Sequence, residues 1–147
     1  MLWRADFGSI ARRSVAVTGR EYKRPEFGPA PAERPTLHRE MQAQGLIRLD
    51  PLVLDGGLVE KPAVALVEPD LQLFTADDMR FVDESIEYYW DKTGIKASDD
   101  SHGAAWNSRN NGDLMPYELA YLSDHTPSNK QFLKLRSFVG DEGLSSL

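Results

Sequence analysis

Trp3, Phe7 and Ile10 recur at helical spacing, so the pattern predicts an amphipathic helix over residues 1–12 whose beginning is expected before Met1. The periodicity then breaks. Four prolines and two glycines fall between residues 15 and 35, among them Thr18-Gly19 and Phe27-Gly28-Pro29-Ala30-Pro31. Repeated prolines fix φ and remove backbone donors, so this stretch is expected to be an ordered loop, with Tyr22 and Phe27 as its apolar anchors. A second helix is expected from Pro35 to about Gln44. It places Leu37 and Met41 on one face, and Gly45 stands where a left-handed cap is needed. Two β-prone arms follow, residues 46–54 and 62–67, around Asp55-Gly56-Gly57. They predict a hairpin in which Pro51 confines the first arm to an edge or a bulge. Helix followed by hairpin resembles the ending of a winged helix, although such wings pack as structural elements in many proteins.

The next helix announces its own start. Thr75 can cap it, Asp77 and Asp78 suit its positive end, and Phe74 can staple onto Met79. Its apolar stripe reads Met79, Val82, Ile86 and Tyr89 with Trp90 alongside, a core helix ending at Gly94. Aromatics at this spacing are core packing more often than a binding hot spot. Beyond it, Ser98 or Ser101 is expected to cap a short helix carrying Trp106, and Asn110-Asn111-Gly112-Asp113 to form a turn. A short apolar helix is expected over residues 117–122, then a last helix from Thr126-Pro127 through Phe132, Leu135 and Val139 to Gly140, with a frayed tail at 141–147. The expected fold is therefore α+β and predominantly helical: one compact domain over residues 1–147 with a small wing-like hairpin after the second helix.

Composition agrees with a chain that folds on one core without cross-links: 147 residues, 41% hydrophobic, 27% charged and no cysteine. The missing cysteines exclude disulfides and thiolate chemistry and suit a reducing cytoplasm. No apolar run approaches a membrane span, and no signal-peptide pattern opens the chain. Charge is divided. Residues 1–48 carry nine Lys/Arg against five Asp/Glu, +4, whereas residues 49–147 carry eight against eighteen, −10. So acidic a remainder argues against nucleic acid as its ligand and for a basic protein partner, although most such charges are ordinary solvated surface.

Candidate chemistry is sparse. His38, His102 and His125 offer no pair at the i,i+3 or i,i+4 spacing of helical metal ligands. Asp99, Asp100 and His102 form the one local His/Asp cluster, better read as capping or packing than as a metal or acid–base site. Ser101-His102 are adjacent and point apart on a helix, so they do not make a nucleophile and base. The chain has no phosphate loop, dinucleotide fingerprint or nucleophile elbow. No catalytic residue, metal site or cofactor is therefore expected.

Several blocks, in order, resemble the Panacea domain of SocA-like antitoxins. They are Leu2-Trp3-Arg4-Ala5-Asp6-Phe7, Val17-Thr18-Gly19-Arg20-Glu21-Tyr22, Glu26-Phe27-Gly28-Pro29-Ala30-Pro31, Gly45-Leu46-Ile47, Phe74-Thr75, residues 98–102 with Trp106, and Met115-Pro116-Tyr117-Glu118-Leu119-Ala120. The likeness covers roughly residues 2–125. It departs from the family in a short first helix and in Ala30, where an aliphatic residue is usual. The resemblance implies a non-enzymatic antitoxin of a bacterial or prophage toxin–antitoxin system, which binds a toxin encoded beside it. One relative resembles a protease adaptor, which makes a cytoplasmic protease a second partner class. Partner-binding or motif residues are then Tyr22, Phe27, Gly28, Pro29, His102 and Trp106, with the Phe27-Gly28-Pro29 turn and the His102/Trp106 segment brought together. The weighed alternative is a DNA-binding, winged-helix-like regulator. If Leu2, Trp3 and Phe7 stay exposed, self-association is a further expectation.

Overall fold

Polar side-chain caps open the helices Ala76–Tyr89 and Gly94–Asp100. Thr75 Oγ1 accepts the amide of Asp78 at 3.2 Å while Asp78 Oδ2 accepts the amide of Thr75 at 2.9 Å, and this reciprocal pair starts a 14-residue helix. The computed structural model describes residues 1–53, 56–57 and 59–122. Among them the elements run α1 (Leu2–Arg13), β1 (Tyr22–Lys23), β2 (Ala30–Pro31), α2 (Arg34–Ala43), β3 (Ile47–Leu49), β4 (Leu52–Val53), β5 (Val59–Glu60), β6 (Ala63–Ala65), α3 (Ala76–Tyr89), α4 (Gly94–Asp100) and α5 (Ala104–Asn107), with 3-10 turns at Leu71–Leu73 and Tyr117–Tyr121. The class is α+β with helix predominating. The last helix expected over residues 126–140, the tail and His125 lie outside the described residues.

The chain divides into two compact units, one built from Met1–Ala32 and Phe74–Leu147, the other from Glu33–Leu73. In the first, α1 packs against α3 and the Tyr117–Tyr121 turn. Phe7, Tyr22, Ala105, Met115 and Leu119 form its core, with Trp3, Trp106 and Tyr117 packed on them. Phe7 is buried and the Trp3 ring packs on it, tilted, with centroids 5.2 Å apart, so of the apolar surface expected at the start of the chain mainly Met1 and Leu2 stay exposed. The segment 15–35 is not wholly irregular: β1 and β2 pair antiparallel, Tyr22 opposite Pro31. Tyr22 anchors it as expected, but Phe27 does not, because its side chain is 78% exposed.

Helix α3 buries a different face from the expected one. Phe81 and Ser85 are its buried residues, while Ile86 and Trp90 are exposed and Met79, Val82 and Tyr89 only partly covered. Arg12 and Arg13 of α1 lay their guanidinium groups 4.2 and 5.2 Å from the Phe81 ring, and Ser85 returns its hydroxyl to Phe81 O at 2.9 Å. A phenyl ring under guanidinium groups, beside a serine with its polarity satisfied, makes up the buried arc in place of the broader aliphatic stripe. The helix stops at Tyr89, and Gly94 opens α4 with Thr93 as its cap. The Trp106 helix starts after Gly103, so neither Ser98 nor Ser101 caps it; Ser98 lies inside α4 and Ser101 ends it.

In the second unit, α2 ends as its sequence predicts. Gly45 has φ +69°, its amide bonds Gln42 O, and the Leu46 amide reaches Met41 O. The hairpin is present, and it is interrupted between Leu49 and Leu52. Strand β3 pairs with β6, Ile47 opposite Ala65, and β4 pairs with β5, Val53 opposite Val59. The two ladders keep one register, bridged by the bond from Asp50 N to Pro62 O at 3.1 Å. Pro62 stands in the hydrogen-bonded position opposite Asp50 and has no amide hydrogen to return, so one hairpin becomes two short ladders there; Pro51, in the alternate position, turns its nitrogen away from the partner strand.

Candidate functional site

The Phe27-Gly28-Pro29 turn and the His102/Trp106 segment lie together, joined through Arg24 and Pro25 just before the turn and through Gly28 against Ser101. Trp106 Nε1 donates to Pro25 O at 3.3 Å, and Arg24 Nε donates to Trp106 O at 3.2 Å. The Arg24 guanidinium carbon sits 3.3 Å from the Trp106 ring centroid, and the His102 imidazole stacks on the same indole at 3.8 Å and 21°. Groups this close to one ring cannot share a face, so the indole is held between a cation and an imidazole. Gly28 closes the turn: its φ is +107°, and a β-carbon there would overlap Ser101 Oγ. Only glycine meets both demands.

Backbone bonds fix Arg24. Its amide donates to Asp113 O at 2.9 Å and its carbonyl accepts the Gly112 amide at 2.8 Å, so the Asn110–Asp113 turn read from sequence is the brace for this cluster. Gly28 is buried, Pro29, His102 and Trp106 are half-buried, and Phe27 projects outward. The result is an exposed aromatic side chain on a turn immobilised from beneath. Arg24 escaped the sequence reading, since nothing local marks an arginine for an indole 82 residues away.

Tyr22 lies apart from this surface. It is 1% exposed and donates its hydroxyl to Asp6 Oδ2 at 2.7 Å. Asp6 is fully buried; it also accepts from Thr18 N at 2.7 Å and Thr18 Oγ1 at 2.5 Å, and Tyr117 Oη stands 3.4 Å away. Burial, then the bond to Asp6, pushes the Tyr22 phenol well above its ordinary pKa. Asp6, Thr18 and Tyr22 thus make a buried polar knot that serves the core rather than a partner.

The cluster has limited capacity for chemistry. Ser98 Oγ, on α4, lies 3.4 Å from Nε2 of His102 just past the helix end, so the hydroxyl beside the imidazole is Ser98 rather than the adjacent Ser101. Asp100 does not stand behind that imidazole. It binds Lys92 at 2.5 Å and Lys96 at 2.9 Å, and these two lysines hold its carboxyl down at about 2. No group of three His, Asp or Glu side chains among the described residues is placed to hold a metal ion. None of their helices is long and apolar enough to cross a membrane. A separate cleft of about 350 Å³ between α1, α3 and α5 is lined by Trp3, Arg4, Phe81, Glu84, Asp100 and Leu122 among others. Its charged walls are engaged: Arg12 pairs with Glu84, and Arg4 lies over Tyr88 at 3.6 Å.

No protein-family model, curated protein or solved structure matches the chain.

Proposed function

We propose that this chain is a non-enzymatic antitoxin of the SocA-like, Panacea type, which neutralises a protein toxin by binding it in the cytoplasm. The observation that carries the reading is Phe27, 78% exposed on a turn locked by Gly28, Arg24 and Trp106. An interface gains most from aromatic and arginine anchors that lose little freedom on binding, and a side chain on a braced turn loses least. The acidic remainder of the chain steers a basic partner toward that anchor. The wing-like hairpin is a scaffold in this reading. Between residues 46 and 67 it carries Arg48 and Lys61 against Asp50, Asp55 and Glu60, and Arg48 is engaged by Asp50 at 2.5 Å. A DNA-reading wing needs the opposite balance.

The test is co-expression in a bacterial host with the product of the adjacent gene. Growth arrest by that product should be relieved by the wild-type chain and not by Phe27→Asp, whose melting temperature and circular dichroism should match wild type because the side chain is exposed. Arrest that persists with wild type, or rescue indifferent to Phe27, sinks the reading. Rescue that disappears in a host lacking one cytoplasmic protease assigns the chain the adaptor variant of the same role.

A further inference from the structure

Because Phe81 and Ser85 take the interior, α3 keeps a second apolar stripe that stands exposed among the described residues. Ile86 and Trp90, one turn apart, are 39% and 83% exposed, with Met79 partly exposed on the same line, and Ile95 in the first turn of α4 is 79% exposed. Tryptophan is deeply buried on average in folded chains. Trp3 and Trp106 obey by packing on the core, and Trp90 does not.

Acids border the stripe. Asp83, Glu87 and Asp91 are all exposed, while the ion pairs of α3 run from Asp77, Asp78 and Glu84. Of the cations nearest in sequence, Arg80 faces Asp77 and Glu84, and Lys92 is spent on Asp100. We infer that this face binds a cationic amphipathic helix of a partner protein, whose apolar side chains cover Ile86, Trp90 and Ile95 and whose Lys or Arg residues meet Asp83, Glu87 and Asp91. Helix-on-apolar-stripe recognition needs this combination of anchors and a charged rim. The same acids disfavour the other occupants. A two-fold pairing of copies through the stripe sets carboxylate against carboxylate, and anionic lipid headgroups are repelled. The inference is independent of the antitoxin reading, which rests on the Phe27 turn.

The probe is a synthetic amphipathic peptide with leucines at i, i+3, i+4 and i+7 and lysines on both flanks, compared with the same peptide carrying glutamates. Binding to the full chain is followed by tryptophan fluorescence and calorimetry, with Trp90→Phe assigning the signal. The lysine peptide should bind, shift Trp90 emission to the blue and protect it from acrylamide, and the glutamate peptide should bind at least about tenfold more weakly. Trp90→Ala should weaken the lysine peptide by about tenfold or more. Glu87→Lys with Asp91→Lys, which leaves the apolar stripe intact, should reverse the preference between peptides. Equal binding of both peptides, an affinity indifferent to Trp90, or a Trp90 already shielded from acrylamide in the isolated monomer overturns the inference. So does concentration-dependent self-association abolished by Trp90→Ala, which would give the face to a second copy.

Discussion

Asp6 is a fully buried carboxylate whose partners are an amide and hydroxyls. Its worth lies in what its removal leaves behind. Asp6→Ala leaves the buried Tyr22 hydroxyl and the part-buried Thr18 amide without their acceptor, and a buried orphan costs about 1–3 kcal/mol, so chemical denaturation should record a loss of about 2 kcal/mol or more. Tyr22→Phe removes one donor and keeps the ring, and should cost about 1–2 kcal/mol. A loss for Asp6→Ala no larger than that for Tyr22→Phe would refute the knot. Gly28 offers a second test. Gly28→Ala should destabilise by about 2 kcal/mol through its positive φ and the overlap with Ser101 Oγ. Adding Ser101→Ala should return the steric share and leave the torsional one, so the double variant should melt above the single. The sequence disclosed the glycine and the turn around it. It did not disclose Ser101 as the reason, because that contact joins positions 73 residues apart.

At the scale of elements, caps were legible and faces were not. Thr75 with Asp78, and the bonded amides of Gly45 and Leu46, act within five residues of chain, where local chemistry decides. Which arc of α3 is buried depends on α1, whose Arg12 and Arg13 flank Phe81; counting apolar residues along one helix cannot anticipate that. The same cap makes a pH prediction. Hydrogen bonds from the Thr75 hydroxyl, then from Arg13, hold the Asp78 carboxyl at about 2. Its unfolded value is about 3.9, so the stabilisation is whole above that pH and is lost as pH falls from about 4 to about 2. Asp100, held at about 2 by Lys92 and Lys96, titrates out over the same window. Asp78→Asn should therefore lower stability at neutral pH and flatten the acid limb between about pH 4 and about pH 2. An unchanged acid limb would mean that the capping box is not formed in solution.

For the whole molecule, the consequence of two units is unequal local stability. The unit built from Met1–Ala32 and Phe74–Leu147 holds nearly every buried hydrophobic residue described, including Phe7, Tyr22, Phe81, Met115 and Tyr121, whereas Glu33–Leu73 contributes Ile47 alone. No residue of α2 is buried, and the hairpin leaves Leu52, Val53, Val59, Val64 and Leu66 between 37% and 69% exposed. Local opening becomes easier where little apolar area leaves water, and a two-stranded hairpin is marginal without further cover. Hydrogen exchange followed by mass spectrometry should therefore find the β3 and β6 amides exchanging faster than those of α1 and α3 by about a hundredfold or more, that is, opening at a free energy lower by about 3 kcal/mol. Denaturant should leave the fast set nearly unmoved, since small openings expose little surface, while the slow set should follow global unfolding. Equal protection in both units would mean that the Glu33–Leu73 segment gains cover in solution, and the exposed hairpin would then be the surface to search for it.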